Sequence, residues 1–324
     1  MTSRPPEFAL IAQVFAPLAT APGALGLMDD AALLPARAGC DHVVTTDALV
    51  EGVHFFADDP PVSIAKKALR TNLSDLAAKG AEPEGYLLAL SLPARIDLEW
   101  IEAFGRGLGE DQRTFAVPLL GGDTTSTGGP LTLAITAIGL VPLGTMIRRA
   151  GAKPGDGVYV SGTIGDAGGV LALLKGESAQ FAGSGRTHLI ERYRVPTPRL
   201  TLGKALRGVA SAALDVSDGL IADLAHIADV SKVRIALKAE RVPRSPALHA
   251  LWGDSTEAIL RAATSGDDYE LAFTAGSEAE VAQASKRTGV PITRIGRVED
   301  GSGVVLLDQN GQEIPVSRAG YTHF

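Results

Sequence analysis

Strand-like and helical segments alternate along this 324-residue chain, but not as a strict repeat of one strand and one helix. The strand-like runs are rich in Val, Ile, Leu and Thr and are bounded by turn residues, as β-strands are. They cover residues 42–46, 86–92, 131–140, 157–162, 233–237, 270–274 and 304–307. We therefore predict an α+β fold with mixed or antiparallel sheets flanked by helices.

Helical patterns lie between these runs. In the clearest, 62–80, Ile64, Leu69 and Leu73 fall close to one helix face and the pattern ends at Gly80. The other helical patterns lie near 97–113, 165–175, 198–209, 218–230 and 277–288. The segment 175–188 has the composition of a loop.

The chain is long enough for two domains. The best boundary is the stretch RRAGAKPGDG (148–157), which is basic, rich in Gly and Pro, and lies between two strand-like runs. We predict an N-terminal domain of residues 1–147 and a C-terminal domain of residues 148–324.

Charge and cysteine content narrow the possible partners. The formal net charge of −7 argues against a nucleic-acid partner, and it means that a phosphate substrate would need metal ions. Cys40 is the single cysteine, which excludes an intramolecular disulfide and a Cys-rich zinc site and fits a reducing cytoplasm. We find no signal-peptide pattern at the N-terminus and no apolar run of about 18 residues, so no membrane partner is expected.

Aspartates gather at the ends of the predicted elements, and most of them lie beside Gly, Ser or Thr, where backbone can approach a ligand closely. They are Asp29, Asp30, Asp47, Asp75, Asp123, Asp215, Asp218, Asp267 and Asp268. Taken one at a time, several have ordinary structural explanations. Asp47 could end a strand, Asp123 could sit in a turn, and Ser217 or Asp218 could cap a helix.

Together these carboxylates indicate hard-cation chemistry, because Mg²⁺ prefers oxygen ligands and is usually shared with substrate phosphates. The hydroxyls of Thr45 and Thr46 could add ligands beside Asp47. Asp75 lies in the last turns of a helix, where the macrodipole disfavours an anion unless a cation is bound. The histidines are few and unclustered, so zinc is not indicated.

Common nucleotide motifs are missing. The chain has neither the G-x-x-x-x-G-K-[ST] loop nor the protein-kinase motif set. The glycine-rich stretch SGTIGDAGG (161–169) follows a strand and opens a helix, so it could offer backbone N–H groups to a phosphate.

Eight motifs resemble the thiamine-monophosphate kinases, in the same order and over essentially the whole chain. They read DDAALL, TTDALVEGVHF, KALRTNLSDLAAKGAEP, GGDTT, GAKPGD, LDVSDGLIADLAHI, GDDYELAFT and GYTHF. VEGVHF together with NLSDLAAKGA separates this family from the aminoimidazole-ribonucleotide and selenophosphate synthetases, which share its fold and ATP chemistry.

The resemblance implies a fold of two α+β domains and a homodimer that forms through the sheet of the N-terminal domain. It implies that ATP phosphorylates thiamine monophosphate to thiamine diphosphate, the last step of that cofactor's biosynthesis, by direct in-line transfer with several Mg²⁺ ions. The nucleophile is then a phosphate oxygen that is already ionised at neutral pH, so no strong general base is required. Alternatives are another ATP-dependent enzyme of the superfamily and a catalytically silent nucleotide- or metal-binding paralogue.

The resemblance also assigns roles to residues. It makes metal ligands of Asp29, Asp30, Thr45, Thr46, Asp47, Asp75, Asp123, Asp215 and Asp218. Of these, it makes Asp47, Asp75, Asp123 and Asp218 the catalytic set. It makes nucleotide contacts of Gly122, Asp123, Arg149 and Ser217, and substrate contacts of His54, Asp267 and Tyr321.

Two positions depart from the family pattern. Met28 stands where the family usually has Gly, a change that would strain the backbone only at positive φ. Asp267 stands where the family usually has Glu, which keeps the carboxylate but shortens the side chain by one methylene.

Overall fold

The computed structural model of the protein describes residues 5–174 and 181–322. The chain divides into two compact units, which are Met1–Leu76 with Ala81–Gly144, and Ala77–Gly80 with Thr145–Phe324. The assignment of domains 1–147 and 148–324 stays a prediction.

The first unit contains one mixed sheet. Its strands are β1 (Cys40–Val50), β2 (Glu82–Pro93), β3 (Leu119–Thr127) and β4 (Thr132–Pro142), in the spatial order β1-β4-β2-β3. Strand β4 pairs antiparallel with β1 and β2, whereas β2 and β3 run parallel. The helices are α1 (Glu7–Leu10), α2 (Pro61–Ala78) and α3 (Leu98–Phe115), and short helical turns cover Ile11–Phe15, Ala16–Leu18 and Pro22–Leu27.

Helix α3 covers one face of this sheet. It begins where the side chain of Asp97 accepts the N–H of Trp100, and it ends at Ala116 in the left-handed conformation. The buried hydroxyl of Tyr86 in β2 donates to Gln112 Oε1 of α3 at 3.0 Å. The opposite face is open, with Val44 61% exposed and Leu87 38% exposed.

The second unit contains a sheet of seven strands. They are β5 (Gly157–Ser161), β6 (Ala212–Asp215), β7 (Arg234–Lys238), β8 (Leu271–Ala275), β9 (Ile292–Glu299), β10 (Gly303–Leu307) and β11 (Glu313–Ile314). Their spatial order is β11-β10-β7-β9-β5-β8-β6, and of these pairs only β10 and β7 run parallel.

The second unit also contains helices. They are α4 (Asp166–Leu174), α5 (Ser184–Arg194), α6 (Leu200–Leu206), α7 (Leu220–Ser231), α8 (Pro246–Trp252), α9 (Thr256–Ala263) and α10 (Glu278–Thr288). One buried cluster joins Leu214 and Ile235 of the sheet to Leu224 of α7. The other joins Phe273 of the sheet to Leu202 of α6. Strand alternation sends successive side chains to these two clusters.

The seven predicted strands and six predicted helices are present, which confirms the α+β fold with two mixed sheets. The sequence reading missed four strands (β3, β6, β9 and β11) and the helices α1, α5, α8 and α9. Strand β3 reads LLGGDTTST, whose glycines and polar residues hide its strand character.

The predicted loop over 175–188 is wrong in its last part, because α5 begins at Ser184. Helix α5 buries only Leu189 and Tyr193, four residues apart, so its apolar stripe is too short to be conspicuous in the sequence. Residues 175–180 lie outside the described part of the chain. Within that part, no helix is both long and apolar enough to cross a membrane.

Candidate active site

Three of the predicted metal ligands line one cavity of about 680 Å³ in the first unit. Asp29 and Asp30 contribute from the loop that follows the last helical turn of the N-terminal segment, and Asp123 contributes from β3. The hydroxyl-bearing Thr124 and Thr136 line the same cavity. The donors around it are therefore oxygen atoms, the kind that Mg²⁺ prefers.

The loop that carries the Asp pair is closed at its base. The N–H of Leu33 donates to the carbonyl of Gly23 at 2.7 Å, and the N–H of Asp30 donates to Asp29 Oδ1 at 2.8 Å. Met28, just before the pair, has φ −102° and is 89% exposed. Because this φ is allowed for any residue, Met at this position carries no backbone strain.

The side chain of Asp75 is hydrogen-bonded to that of Thr45, another predicted metal ligand. The hydroxyl of Thr45 in β1 donates to Asp75 Oδ2 of α2 at 2.5 Å. Thr46, its neighbour, donates instead to the carbonyl of Ile135 at 3.1 Å and accepts from the hydroxyl of Thr136 at 3.1 Å. Adjacent threonines thus have separate partners, as the alternation of a strand requires.

Strand register places Asp47 on the covered face of the first sheet. Thr45 is level with Ala137, which pairs with the buried Tyr86 on the other side of β4, and Asp47 is level with Ile135. Residues directly opposite one another point to the same face. Thr45 and Asp47 therefore lie on the face that also meets Asp75.

Register places Asp123 on the open face. Asp123 pairs with Ala89, and Ala89 pairs with Ala134, which is level with Ala48. Asp123, Thr46 and Ala48 consequently share the face opposite to Asp47. Gly122, the predicted nucleotide contact, is exposed and precedes Asp123 in β3.

His54 has a defined tautomer when it is neutral. Its Nδ1 accepts the backbone N–H of Val50 at 3.0 Å, so the ring proton lies on Nε2. The backbone carbonyl of His54 accepts from the Nζ of Lys67, which is 2% exposed, at 2.9 Å. His54 is thus fixed at the ring and at the backbone, with an N–H donor on the second ring nitrogen.

In the second unit, the loop that follows Asp215 brings four other predicted residues together. Asp215 ends β6, and Ser217 and Asp218 follow it before α7. The carbonyl of Ser217 accepts the N–H of Asp267 at 2.8 Å, and the carbonyl of Asp218 accepts the N–H of Tyr321 at 2.9 Å. Backbone hydrogen bonds therefore join Ser217 to Asp267 and Asp218 to Tyr321.

Arg149 lies in an exposed segment beside the same strand. The carbonyl of its neighbour Arg148 accepts the N–H of Ala213 of β6 at 2.9 Å. Of the GYTHF motif, Gly320 to Thr322 are described, whereas His323 and Phe324 lie outside the described residues.

The alternative roles of Ser217 and Asp218 as helix caps are wrong. Gly219, which has no side chain, is the N-cap of α7, so neither Ser217 nor Asp218 occupies the N-cap position. Asp223 from the first turn reaches back instead, and its Oδ2 accepts the N–H groups of Ser217, Asp218 and Gly219 at 3.0, 3.0 and 3.1 Å. Burial raises the pKa of Asp223 to about 7, Asp218 raises it too, and these three N–H groups lower it.

Sequence reasoning missed Asp223, although one signal was present. An acidic residue in the first turn of a helix faces the unpaired N–H groups of that helix end. In LDVSDGLIADL, the glycine before the apolar run marks the helix start and Asp223 follows four residues later. No sequence rule shows that the carboxylate serves the preceding loop, which depends on how that loop folds back.

A buried ionic network beneath the Asp267 loop was also missed. Glu270 is fully buried and accepts from Ser161 at 2.5 Å, from Arg192 at 3.1 Å and from Arg199 at 2.7 and 2.5 Å. Asp268 accepts the N–H of Gly165 at 2.8 Å. The alternation of GDDYEL thus sends Asp268 and Glu270 inward, where they hold the loop.

Three N–H groups of the glycine-rich stretch 161–169 donate to acceptors elsewhere in the second unit. Gly162 donates to the carbonyl of Pro291 at 3.0 Å, Ile164 to that of Pro243 at 2.8 Å, and Gly165 to Asp268 as above. These three N–H groups already have protein acceptors, and the expectation that the stretch binds a phosphate stays a prediction for its other N–H groups.

The donor chemistry of the site suits magnesium. In residues 5–174 and 181–322 no three or more His, Cys, Asp or Glu side chains form a group able to hold a metal. Mg²⁺ commonly keeps several waters and takes one or two carboxylates together with substrate phosphates, so it needs no complete protein cage. Asp29, Asp30 and Asp123, which face one cavity, meet that requirement.

Both halves of the chain match domains of one class of proteins. Residues 28–141 match the family of AIR synthase related proteins, N-terminal domain, and residues 153–309 match the corresponding C-terminal domain. The two matches together span most of both units described above.

Individual proteins of this class are similar to the chain over nearly its full length. The thiamine-monophosphate kinase of Caulobacter vibrioides is 46% identical over 98% of this chain and 91% of its own length. The crystal structure of thiamine-monophosphate kinase from Stenotrophomonas maltophilia K279a is 44% identical, with a TM-score of 0.85 over 95% of this chain and 98% of that chain. The structure of AaThiL complexed with AMPPCP and TMP is 31% identical, with a TM-score of 0.78 over 93% of this chain and 97% of that chain.

These likenesses extend over nearly the full length of both partners, and the motif order agrees with them. The chain belongs to the thiamine-monophosphate kinase family.

Proposed function

We propose that this protein transfers the γ-phosphoryl group of ATP to thiamine monophosphate, which yields ADP and thiamine diphosphate. The observation that carries the proposal is the full-length likeness to proteins named for this activity, at up to 46% identity. The reaction is the last step of thiamine diphosphate biosynthesis. AaThiL, solved with AMPPCP and TMP, supports ATP as co-substrate, because AMPPCP is an analogue of ATP.

We assign substrate and nucleotide roles to the residues predicted from the sequence. His54, Asp267 and Tyr321 contact thiamine monophosphate, and His54 offers the N–H on Nε2 that its bond to Val50 leaves as the donor. Gly122, Asp123, Arg149 and Ser217 contact the nucleotide. The exposed Arg149 is suited to a phosphate, because a guanidinium stays charged and donates in a fork.

We assign the metal sites to oxygen donors. The residues that would hold Mg²⁺ are Asp29, Asp30, Thr45, Thr46, Asp47, Asp75, Asp123, Asp215 and Asp218. When bound, Mg²⁺ neutralises phosphate charge and aligns the attacking and leaving oxygens. Asp47, Asp75, Asp123 and Asp218 are the catalytic members of this set.

The protein's own task in this reaction is to position two polyanions. Phosphoryl transfer requires little covalent chemistry from the protein, and catalysis comes from alignment and charge stabilisation. The attacking phosphate oxygen of thiamine monophosphate is ionised at neutral pH and loses no proton. Direct in-line transfer without a phospho-enzyme then needs no His-carboxylate pair.

We further propose that the protein forms a homodimer through the first sheet. On its open face, Val44 of β1 lies outside the lining of the candidate cavity and is 61% exposed. Exposed apolar side chains on one sheet face are typical of a surface that a second subunit covers. Light scattering at micromolar concentration should give the mass of two chains.

The activity is tested by incubating the purified protein with ATP, Mg²⁺ and thiamine monophosphate and by measuring thiamine diphosphate chromatographically. We expect product that depends on all three components and disappears in excess EDTA, with no recovery on adding zinc. The substrates of the aminoimidazole-ribonucleotide and selenophosphate synthetases, tested under the same conditions, serve as the comparison panel. Turnover of a panel substrate but not of thiamine monophosphate would refute the proposal.

A further inference from the structure

Asp223 is the acceptor for three consecutive backbone N–H groups. Its Oδ2 accepts from Ser217, Asp218 and Gly219 at 3.0–3.1 Å, and the side chain is 4% exposed. A bound water cannot easily replace a carboxylate at so buried a position. The path of the loop over 217–219 therefore depends on this one oxygen.

The carbonyl groups of this loop accept hydrogen bonds from two other segments of the chain. The carbonyl of Ser217 accepts the N–H of Asp267 at 2.8 Å, and the carbonyl of Asp218 accepts the N–H of Tyr321 at 2.9 Å. Each of these two residues of the loop thus binds Asp223 through its N–H and a predicted substrate residue through its carbonyl.

These contacts leave little space for the loop to move independently. A Cβ at Gly266 would lie 2.3 Å from the carbonyl oxygen of Ser217, and one at Gly320 would lie 2.5 Å from that of Asp218. Both glycines therefore lie directly against the loop carbonyls. A displacement of the loop must move the backbone of Asp267 and Tyr321 with it, because packed interiors transmit small shifts.

We propose that Asp223 is a positioning residue, which acts through the peptides of residues 217–219 to place Asp218, Asp267 and Tyr321 together. This inference rests on the proposed function, since it takes Asp267 and Tyr321 as the contacts to thiamine monophosphate. Asp223 itself touches neither substrate. Its carboxylate links the predicted metal and nucleotide loop to the predicted substrate residues within the second unit.

The test compares Asp223→Ala with Asp223→Asn. Alanine removes the acceptor, whereas asparagine keeps one oxygen that can receive the three N–H groups. We expect Asp223→Ala to raise the KM for thiamine monophosphate about tenfold, which corresponds to roughly 1.4 kcal/mol. We expect Asp223→Asn to stay within about threefold of the wild type, because the hydrogen bonds rather than the charge set the loop.

Asp156→Ala is the matched control. Asp156 is also a buried acid of the second unit, 6% exposed, and it also accepts a backbone N–H, that of Lys153, at 3.1 Å. It lies outside the 217–219 loop. We expect this control to lose stability without a change in the KM for thiamine monophosphate, so a general loss of packing would be recognised.

Amide hydrogen exchange supplies a readout that is independent of activity. Asp223→Ala should speed the exchange of the amides of Asp267 and Tyr321, and Asp156→Ala should not. If Asp223→Ala fails to fold, Gly320→Ala perturbs the same contact from the other side, because its Cβ meets the carbonyl of Asp218. It should likewise raise the KM.

The outcomes separate the two proposals. Unchanged exchange at Asp267 and Tyr321, or an unchanged KM in folded Asp223→Ala and Gly320→Ala, overturns the positioning role. Failure of the wild type to form thiamine diphosphate overturns the proposed function, while the exchange data still decide whether Asp223 places the two residues.

Discussion

The hydroxyl of Tyr269 donates a hydrogen bond to Asp267 Oδ1 at 3.0 Å. Both residues have positive φ, 52° for Tyr269 and 66° for Asp267, and the N–H of Tyr269 donates to the carbonyl of Val216 at 2.8 Å. Such conformations are costly for a bulky residue and persist only where the surroundings enforce them. The carboxylate of Asp267, whose side chain is one methylene shorter than Glu, is thus held by Tyr269, two residues away.

Removing the hydroxyl tests this relationship. We expect Tyr269→Phe to raise the KM for thiamine monophosphate by about threefold to tenfold, because Asp267 loses a hydrogen bond worth about 1 kcal/mol. The KM for ATP should change little. Steady-state kinetics with each substrate varied in turn measures both, and an effect confined to ATP would contradict the substrate role of Asp267.

Substitution of Asp267 itself must allow for its backbone. Asn tolerates the left-handed conformation, whereas Ala and Glu carry strain of about 1–2 kcal/mol there. We expect Asp267→Glu to change the KM for thiamine monophosphate by less than about tenfold, which is roughly 1.4 kcal/mol. Asp267→Ala should raise it more, and Asp267→Asn separates loss of charge from strain. A variant series that altered only the KM for ATP would place Asp267 in the nucleotide site.

Asp75→Asn and Asp47→Asn test the metal assignment on the covered face of the first sheet. We expect both variants to fold and to lose most activity, because they weaken a ligand while they keep the shape of the side chain. Thr45→Val removes a proposed Mg²⁺ ligand together with the hydroxyl that donates to Asp75, so we expect it to lower activity as well. Near wild-type turnover of either Asn variant at saturating Mg²⁺ would show that its carboxylate is no ligand.

The pH dependence of stability should show the effect of the raised pKa of Asp268. Burial raises the pKa of Asp268 well above its usual range, and Arg192 offsets only part of this. The folded protein therefore holds this proton more tightly than the unfolded chain, so the contribution of Asp268 to the free energy of unfolding falls as pH rises above about 4, the pKa of an unfolded aspartate.

Asp268→Asn removes that dependence and keeps an oxygen for the N–H of Gly165. We expect the stability of this variant relative to the wild type to increase from about pH 4 to pH 7. Denaturant unfolding followed by circular dichroism at several pH values measures the difference. A difference that is constant over this range would mean that Asp268 titrates alike in the folded and unfolded states.

Much of the site was accessible from the sequence because its residues lie in short contiguous motifs. Asp215, Ser217 and Asp218 come from one motif, and backbone hydrogen bonds join the last two to Asp267 and Tyr321 from two other motifs. The polar strand β3 was not accessible as a strand, although its GGDTT motif was. Its pairing with β2, not its own propensity, makes it a strand.

The sequence by itself determined the class of fold, the order of its main elements and the family. Hydrophobic periodicity is local, and it needs no knowledge of what packs against a segment. Such periodicity predicts a strand over 42–46 with Asp47 at its end, but it does not predict what meets either face of that strand.

Only the tertiary structure decided which carboxylates lie on the same face of a sheet. A shift of one residue reverses the face of a side chain, so the pairing of β1 with β4 separates Asp47 from Thr46, and the pairing of β3 with β2 gives Asp123 the open face. The roles of Asp223 and Glu270 depend on hydrogen bonds to backbone or to residues remote in the chain. Such contacts form only when the chain folds, because they are set by the packing of whole elements and not by local preference.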